Sequence, residues 1–237
     1  MSALDYGSMQ PIDRPSDNSV LGIVGANALT LVMAVWQDWS VLQLMWPFWM
    51  QSVIIGWYAR RRILLLQQFS TADLRINDQP VEPTPETQRR VANFFALHYG
   101  LFHLAYLAFL VQATAGSGPD GALQVSDESG GSASFVVGHV TSLDWLIFAV
   151  LAASFWFSHR ASHREHVEAD LARVPKLGTL MFMPYARILP MHLTIIFGTQ
   201  VGAAAVWLFV LLKTAADVGM HKLEHHVLQS APAADGR

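Results

Sequence analysis

Near its C-terminal end the chain sets Lys213, Asp217, His221 and His225 at four-residue intervals, and the stretch before them carries Arg187 and His192. Residues four apart on a helix stand one turn apart on one face. Amine, carboxylate and imidazole would therefore share a stripe. Carboxylate and neutral imidazole suit a divalent metal such as Zn or Fe. Asp217 and His221 can address one ion from a single helix. His98 and His192 would complete it from neighbouring helices, as ligands do in bundle metal sites. An ion with an open position activates water. Arg187 and Lys213 would then be the catalytic pair, holding an anionic group or stabilising developing charge. This is the expectation of a metal-dependent membrane hydrolase acting on a lipid-like substrate.

Other chemistries use the same residues. The imidazoles can relay protons in an ion-coupled transporter or channel. His98 and His192 can serve as axial ligands to haem. Asp217 can pair with Lys213 or Arg187 in the structural subunit of a membrane complex or a homo-oligomer, with His192 bonded to a carbonyl freed by Pro184 or Pro190. His103 reads as helix packing. Tyr99 can donate to a carboxylate, Gly100 can let a neighbouring helix approach, and Gln51 is either interhelical glue or a site contact.

These residues matter because of where they lie. Of 237 residues, 52% are hydrophobic and 14% charged. Ordinary soluble domains carry about 25% charged residues. Mean hydropathy is +0.31. Together these values indicate an all-α, polytopic helical bundle in the lipid bilayer, where ionisable groups are costly and mark sites. A net charge of −3 gives no footprint for nucleic acid. With no Cys there is no disulfide and no thiolate site. Residues 1–18 are polar and do not read as a cleavable leader, so the first apolar stretch would be retained.

A bilayer crossing needs about 20 apolar residues. Six stretches qualify: about 19–36, 40–60, 88–113, 141–158, 178–198 and 202–226, with a break at Gly198–Gly202 separating the last two. Without that break residues 188–212 would make one crossing followed by a polar amphipathic tail, and the charge distribution favours six. This gives a polar tail over 1–18, a membrane domain over 19–226 and a C-terminal tail over 227–237. With the N-terminus inside, the external segments 37–39, 114–140 and 199–201 contain no Lys or Arg. Arg60, Arg61, Arg62, Arg75, Arg89, Arg90, Arg160, Arg164, Arg173, Lys176 and Lys222 all fall inside. That asymmetry predicts a multi-pass protein of a bacterial inner membrane with both termini cytoplasmic. At 1.5 Å per residue, Arg187 lies about 13 Å and His192 about 20 Å from the inner face.

Thr84-Pro85 predicts a helix start, with Thr as N-cap and Pro at the first helical position. Asp144 reads as an N-cap or a solvated group. The Gly/Ser-rich segment 114–134 reads as a flexible linker, and 67–87 as extended chain. Residues 159–172 continue the fourth helix with His159, His163 and His166 on a solvated face. Trp36, Trp39, Trp46, Trp49 and Trp145 suit an interfacial belt.

Three segments carry a resemblance: Asn93 to Phe102 around His98-Tyr99-Gly100, Arg187 to Gly198 around Pro190-Met191-His192, and Lys213 to His221. They resemble the signature segments of a prokaryotic family of multi-pass membrane proteins classified as a domain of unknown function. The similarity runs from the second stretch onward. It implies these segment boundaries and no activity. The family's second stretch looks acidic where this chain has Gln51. A looser similarity is to seven-helix membrane hydrolases of the alkaline ceramidase and progestin-receptor type, which hold zinc with Asp and His beside a Ser. It implies His221 and His225 as a ligand pair, with Asp217 and His98 nearby. This chain differs in helix count and shows no matching Ser.

Overall fold

A computed structural model describes residue 32 and residues 39–126, 132–201 and 205–230. The expected stretch 19–36 therefore lies outside the described residues. The chain is mostly helical. Helix α1 (Val41–Leu65) leads to a two-residue hairpin, β1 (Arg75–Ile76) and β2 (Gln79–Pro80), and then α2 (Pro85–Gly116). Strands β3 (Ala122–Ser126) and β4 (Ser132–Val136) precede α3 (Ser142–Leu171) and the short α4 (Leu177–Phe182). A 3-10 turn (Met183–Arg187), α5 (Ile188–Val201) and α6 (Ala205–Ser230) complete the order.

The caps explain the boundaries. Thr84 accepts from the Thr87 amide with Pro85 in the first turn, as the sequence predicts. Ser40 and Gln43 form a capping box at α1, and Thr141 and Asp144 form one at α3. The cap of α3 is thus Thr141, with Asp144 reaching back from the third position.

The segment expected to be a linker holds a hairpin instead. β3 and β4 pair antiparallel with Ala122 opposite Val136. Gly138 closes it at φ 96°, and a Cβ there would overlap the Ser40 side chain. The Leu42 amide donates to the Val137 carbonyl at 3.1 Å, tying the hairpin to the start of α1.

α1 is the hub. It packs along α2 and α3 and also touches α4, the 3-10 turn and α6. Its close approach to α2 runs through Gly56, where a Cβ would meet the Tyr99 ring at 2.5 Å. Gly100, the expected contact glycine, has nothing near its missing side chain. Trp46 is not interfacial: it is buried, donates to Thr114 Oγ1 at 3.0 Å and packs edge-on against Trp145.

Polar clamps sit at both ends of α1. At one end Gln43 Nε2 donates to Asp144 Oδ1 at 3.0 Å. At the other, Arg62 donates to both oxygens of Asp170 at 2.6 and 2.9 Å, both residues being buried. Beside them Gln88 donates to the carbonyls of Ile63 and Leu66. Residues 43 and 62 are about 28 Å apart along the helix, close to the roughly 30 Å of a hydrocarbon core.

Between the clamps the outward faces are apolar, with Leu97, Leu104, Leu146, Val150 and Phe157 all exposed. Among the described residues three segments, where the sequence predicts six crossings along the chain, are long and apolar enough to cross a membrane: Pro85–Gly116, Ser142–Leu171 and Leu177–Phe197.

The fifth stretch departs most from expectation. Pro184 lies in the first turn of the 3-10 segment, and the stretch is broken into α4, that turn and α5. α5 continues through Gly198 and ends at Val201, within the expected break, and α6 begins at Ala205. α5 and α6 pack together, and Arg187 at the start of α5 meets Asp217 far along α6. The two helices therefore fold back on each other.

The Arg62–Asp170 pair generates a stability prediction. Asp170→Ala leaves a buried guanidinium without its carboxylate and should cost about 3–5 kcal/mol. The double variant Arg62→Met/Asp170→Leu should recover most of that loss, read by denaturant unfolding in detergent.

Candidate functional site

Four helical segments meet at one cleft. α1 contributes Phe48, Gln51, Ser52 and Ile55; the 3-10 turn contributes Arg187; α5 contributes Pro190 and Met191; and α6 contributes Phe209, Lys213, Ala216 and Asp217. Its free space, counting the open mouth, is about 370 Å³. The α6 contributors recur at three- and four-residue steps, so one face of that helix supplies them all.

Charge concentrates there. Lys213 Nζ donates to Asp217 Oδ2 at 2.5 Å, one turn along α6. Arg187 Nη1 stands 3.7 Å from Asp217 Oδ1, beyond hydrogen-bond reach. Lys213 also lies over the Phe48 ring, 4.7 Å from its centroid. The Lys213 and Asp217 side chains are 15% exposed and Arg187 is 29% exposed, so Arg187 is the most accessible of the three. Among the described residues lining the cleft, two cations face one carboxylate. Gln51 is a wall residue of this site.

Of the expected metal ligands, His98 and His192 each have a tyrosine partner. His98 Nδ1 bonds the Tyr185 hydroxyl at 2.9 Å, between Phe94 and Phe102. His192 Nδ1 bonds the Tyr106 hydroxyl at 3.0 Å. His221 follows Asp217 by one turn on α6, and the side chains of His221 and His225 lie outside the described residues. Among those described, no group of three His, Cys, Asp or Glu is placed to hold an ion.

Helical phase is the reason. The cleft face of α5 carries Pro190 and Met191, which turns His192 away. The buried face of α2 carries Phe95, Tyr99, His103 and Tyr106, which leaves His98 on the outside. Asp217 is already shared between Lys213 and Arg187. Thr194 Oγ1 donates to the Pro190 carbonyl at 2.8 Å, and His192 has its partner in Tyr106 rather than in a carbonyl.

A tyrosine–histidine cluster lines the α2 side. Tyr99 donates to the Ser52 carbonyl at 3.0 Å rather than to a carboxylate, joining α2 to a cleft residue. His103 stacks on Tyr99 with ring centroids 4.3 Å apart. Its Nδ1 donates to the Tyr99 carbonyl at 2.9 Å, which leaves Nε2 as the acceptor nitrogen. That Nε2 is buried without a partner. His103 is thus a packing residue with one of its two nitrogens satisfied.

The histidines expected on a solvated face of α3 are half-buried. His163 packs against Tyr58 at 5.0 Å, and His166 Nε2 bonds Ser162 Oγ at 3.1 Å. His159 lies within electrostatic range of Arg187, Asp217 and Lys213. Spacing within one helix could not reveal it, because its neighbours come from other helices. The one available signal was its three- and four-residue separation from Trp156 and His163, which pack on α1.

The charge ratio predicts an order of stability. Asp217→Asn leaves Arg187 and Lys213 facing each other and should destabilise by about 3–5 kcal/mol. Lys213→Met leaves Arg187 and Asp217 as a balanced pair and should lower the melting temperature less. Thermal unfolding of the two variants in one detergent checks the order.

No curated protein and no solved structure proved similar to this chain. One family model matches residues 9–234, nearly the whole length. The chain therefore belongs to DUF6498, a family of unknown function.

Proposed function

We propose that this is a multi-pass membrane protein with six crossings and both termini cytoplasmic, whose cleft binds the anionic group of a lipid-like molecule. The absence of Lys and Arg from 37–39, 114–140 and 199–201 supports the orientation. The apolar outward faces and the two clamps about one hydrocarbon thickness apart support the embedding.

The observation that carries the reading is Arg187. It lines the cleft, its side chain is the most exposed of the three charged ones, and its carboxylate neighbour stands at 3.7 Å. A guanidinium presents five donors in a planar fork that matches carboxylate or phosphate. Phe48, Ile55, Met191 and Phe209 give the same cleft apolar walls, which suit a hydrocarbon body. A metal-centred hydrolase would need Asp217 released from Lys213 and two further ligands brought to it. Anion binding uses the geometry as it stands.

Topology is open to direct test because the chain has no Cys. Single cysteines at Ser117 and Gln67 should differ: a membrane-impermeant maleimide added outside intact cells should label Ser117→Cys and not Gln67→Cys. The opposite pattern would reverse the orientation. For the site, the probe is radiolabelled dodecanesulfonate, bound to protein in phosphatidylcholine nanodiscs with empty discs subtracted. Wild type should bind saturably, and Arg187→Gln should bind at least tenfold more weakly, the equivalent of about 1.4 kcal/mol. Equal binding by the two, or tighter binding of dodecyltrimethylammonium, would refute an anion site.

A further inference from the structure

We propose that the cleft selects anionic lipids carrying a hydroxyl or amide close to the charged end, and that Gln51 reads that group; the inference rests on the anion-binding reading above. Three observations carry it. First, Gln51 lines the same cleft as Arg187 and Lys213. Second, it stands near the middle of α1, on a wall that Phe48 and Ile55 make apolar. Its side chain is half-buried there, and among the described residues it forms no hydrogen bond and no ion pair. Third, the backbone beneath it is fixed. The carbonyl of the next residue, Ser52, accepts from the buried Tyr99 hydroxyl at 3.0 Å, and Gly56 holds α1 close against the Tyr99 ring.

Register sets the amide beside the charges. Gln51 follows Phe48 by three residues, so the two are neighbours on one face of α1. The Lys213 ammonium rests on the Phe48 ring, and Asp217 links that ammonium to Arg187. A ligand that fills a cleft of about 370 Å³ from Arg187 brings the atoms next to its anionic group against the wall that Gln51 occupies. A carboxamide offers N–H donors and a carbonyl acceptor together, with no net charge. Its match is a neutral group with the same pair, a hydroxyl or a second amide. Bare methylenes there would strip water from the Gln51 amide and return no hydrogen bond, which costs affinity. A hydroxyl replaces that water bond for bond. Selection therefore comes from the penalty on the wrong ligand as well as the gain on the right one. The attraction of Arg187 for the anion is common to both.

The probes are dodecane-1-sulfonate and 2-hydroxydodecane-1-sulfonate, bound to the full chain in phosphatidylcholine nanodiscs. They share one anion and one chain length and differ by a single hydroxyl. Preference is the ratio of their Kd values, corrected for the partition of each into empty discs. Wild type should prefer the hydroxylated probe by about tenfold. Gln51→Leu should lose the preference, through weaker binding of the hydroxylated probe and tighter binding of the plain one. A merely structural role for Gln51 would weaken both alike. If Gln51→Leu fails to fold, Gln51→Met, unbranched like glutamine, reads the same ratio. Arg187→Gln should weaken both probes together. Arg187-dependent binding with no preference in wild type would overturn the selection and leave the anion site standing. An undiminished preference in Gln51→Leu or Gln51→Met would overturn the role of Gln51. No Arg187-dependent binding of either probe would remove the anion site and this inference with it.

Discussion

Two cations and one carboxylate share one cleft of a mostly apolar bundle. Arg187, Lys213 and Asp217 come from two helices that fold back on each other. A charge removed from water is tolerated only when paired or compensated. Much of the arrangement around the cluster can be understood from that constraint. The Lys213 ammonium is packed on the Phe48 ring as well as on Asp217. The Arg187 side chain lines the cleft and stays the most exposed of the three.

The scaffold is built to keep that cluster in register. α1 lies between α2 and α3 and supplies one wall of the cleft from Phe48 to Ile55. Its ends are fixed by polar contacts to α3, Gln43 with Asp144 and Arg62 with Asp170. Midway, the bare backbone at Gly56 lets the Tyr99 ring lie flat enough to reach the Ser52 carbonyl. Slippage of α1 by one residue would break both clamps and turn Gln51 and Ser52 out of the wall. The same contacts that stabilise the bundle therefore set the geometry of the site.

Much of this was legible in the residues. Thr84-Pro85 marks a helix start because its chemistry is local. The pairing of Lys213 with Asp217 follows from a four-residue spacing, and the meeting with Arg187 follows from matching depth on consecutive helices. What was not legible depends on rotation and on long-range neighbours. The metal reading joined His98 and His192 to Asp217 from neighbouring helices, but helical phase turns each toward a tyrosine. Pro184 converts the entry of the fifth stretch into a 3-10 turn, which shifts the phase of everything after it. His159 looked solvated because its partners lie on other segments. The hairpin at 122–136 was hidden by a composition rich in Gly and Ser, although Gly121 and Gly138, both at positive φ, close it.

The most direct measurement is an anomalous-scattering structure of crystals grown in bicelles with 12-bromododecanoate. The account predicts carboxylate density within hydrogen-bond distance of the Arg187 guanidinium and a bromine peak between the apolar walls formed by α1, α5 and α6. An empty cleft would contradict it. So would a metal peak on Asp217 with Lys213 displaced.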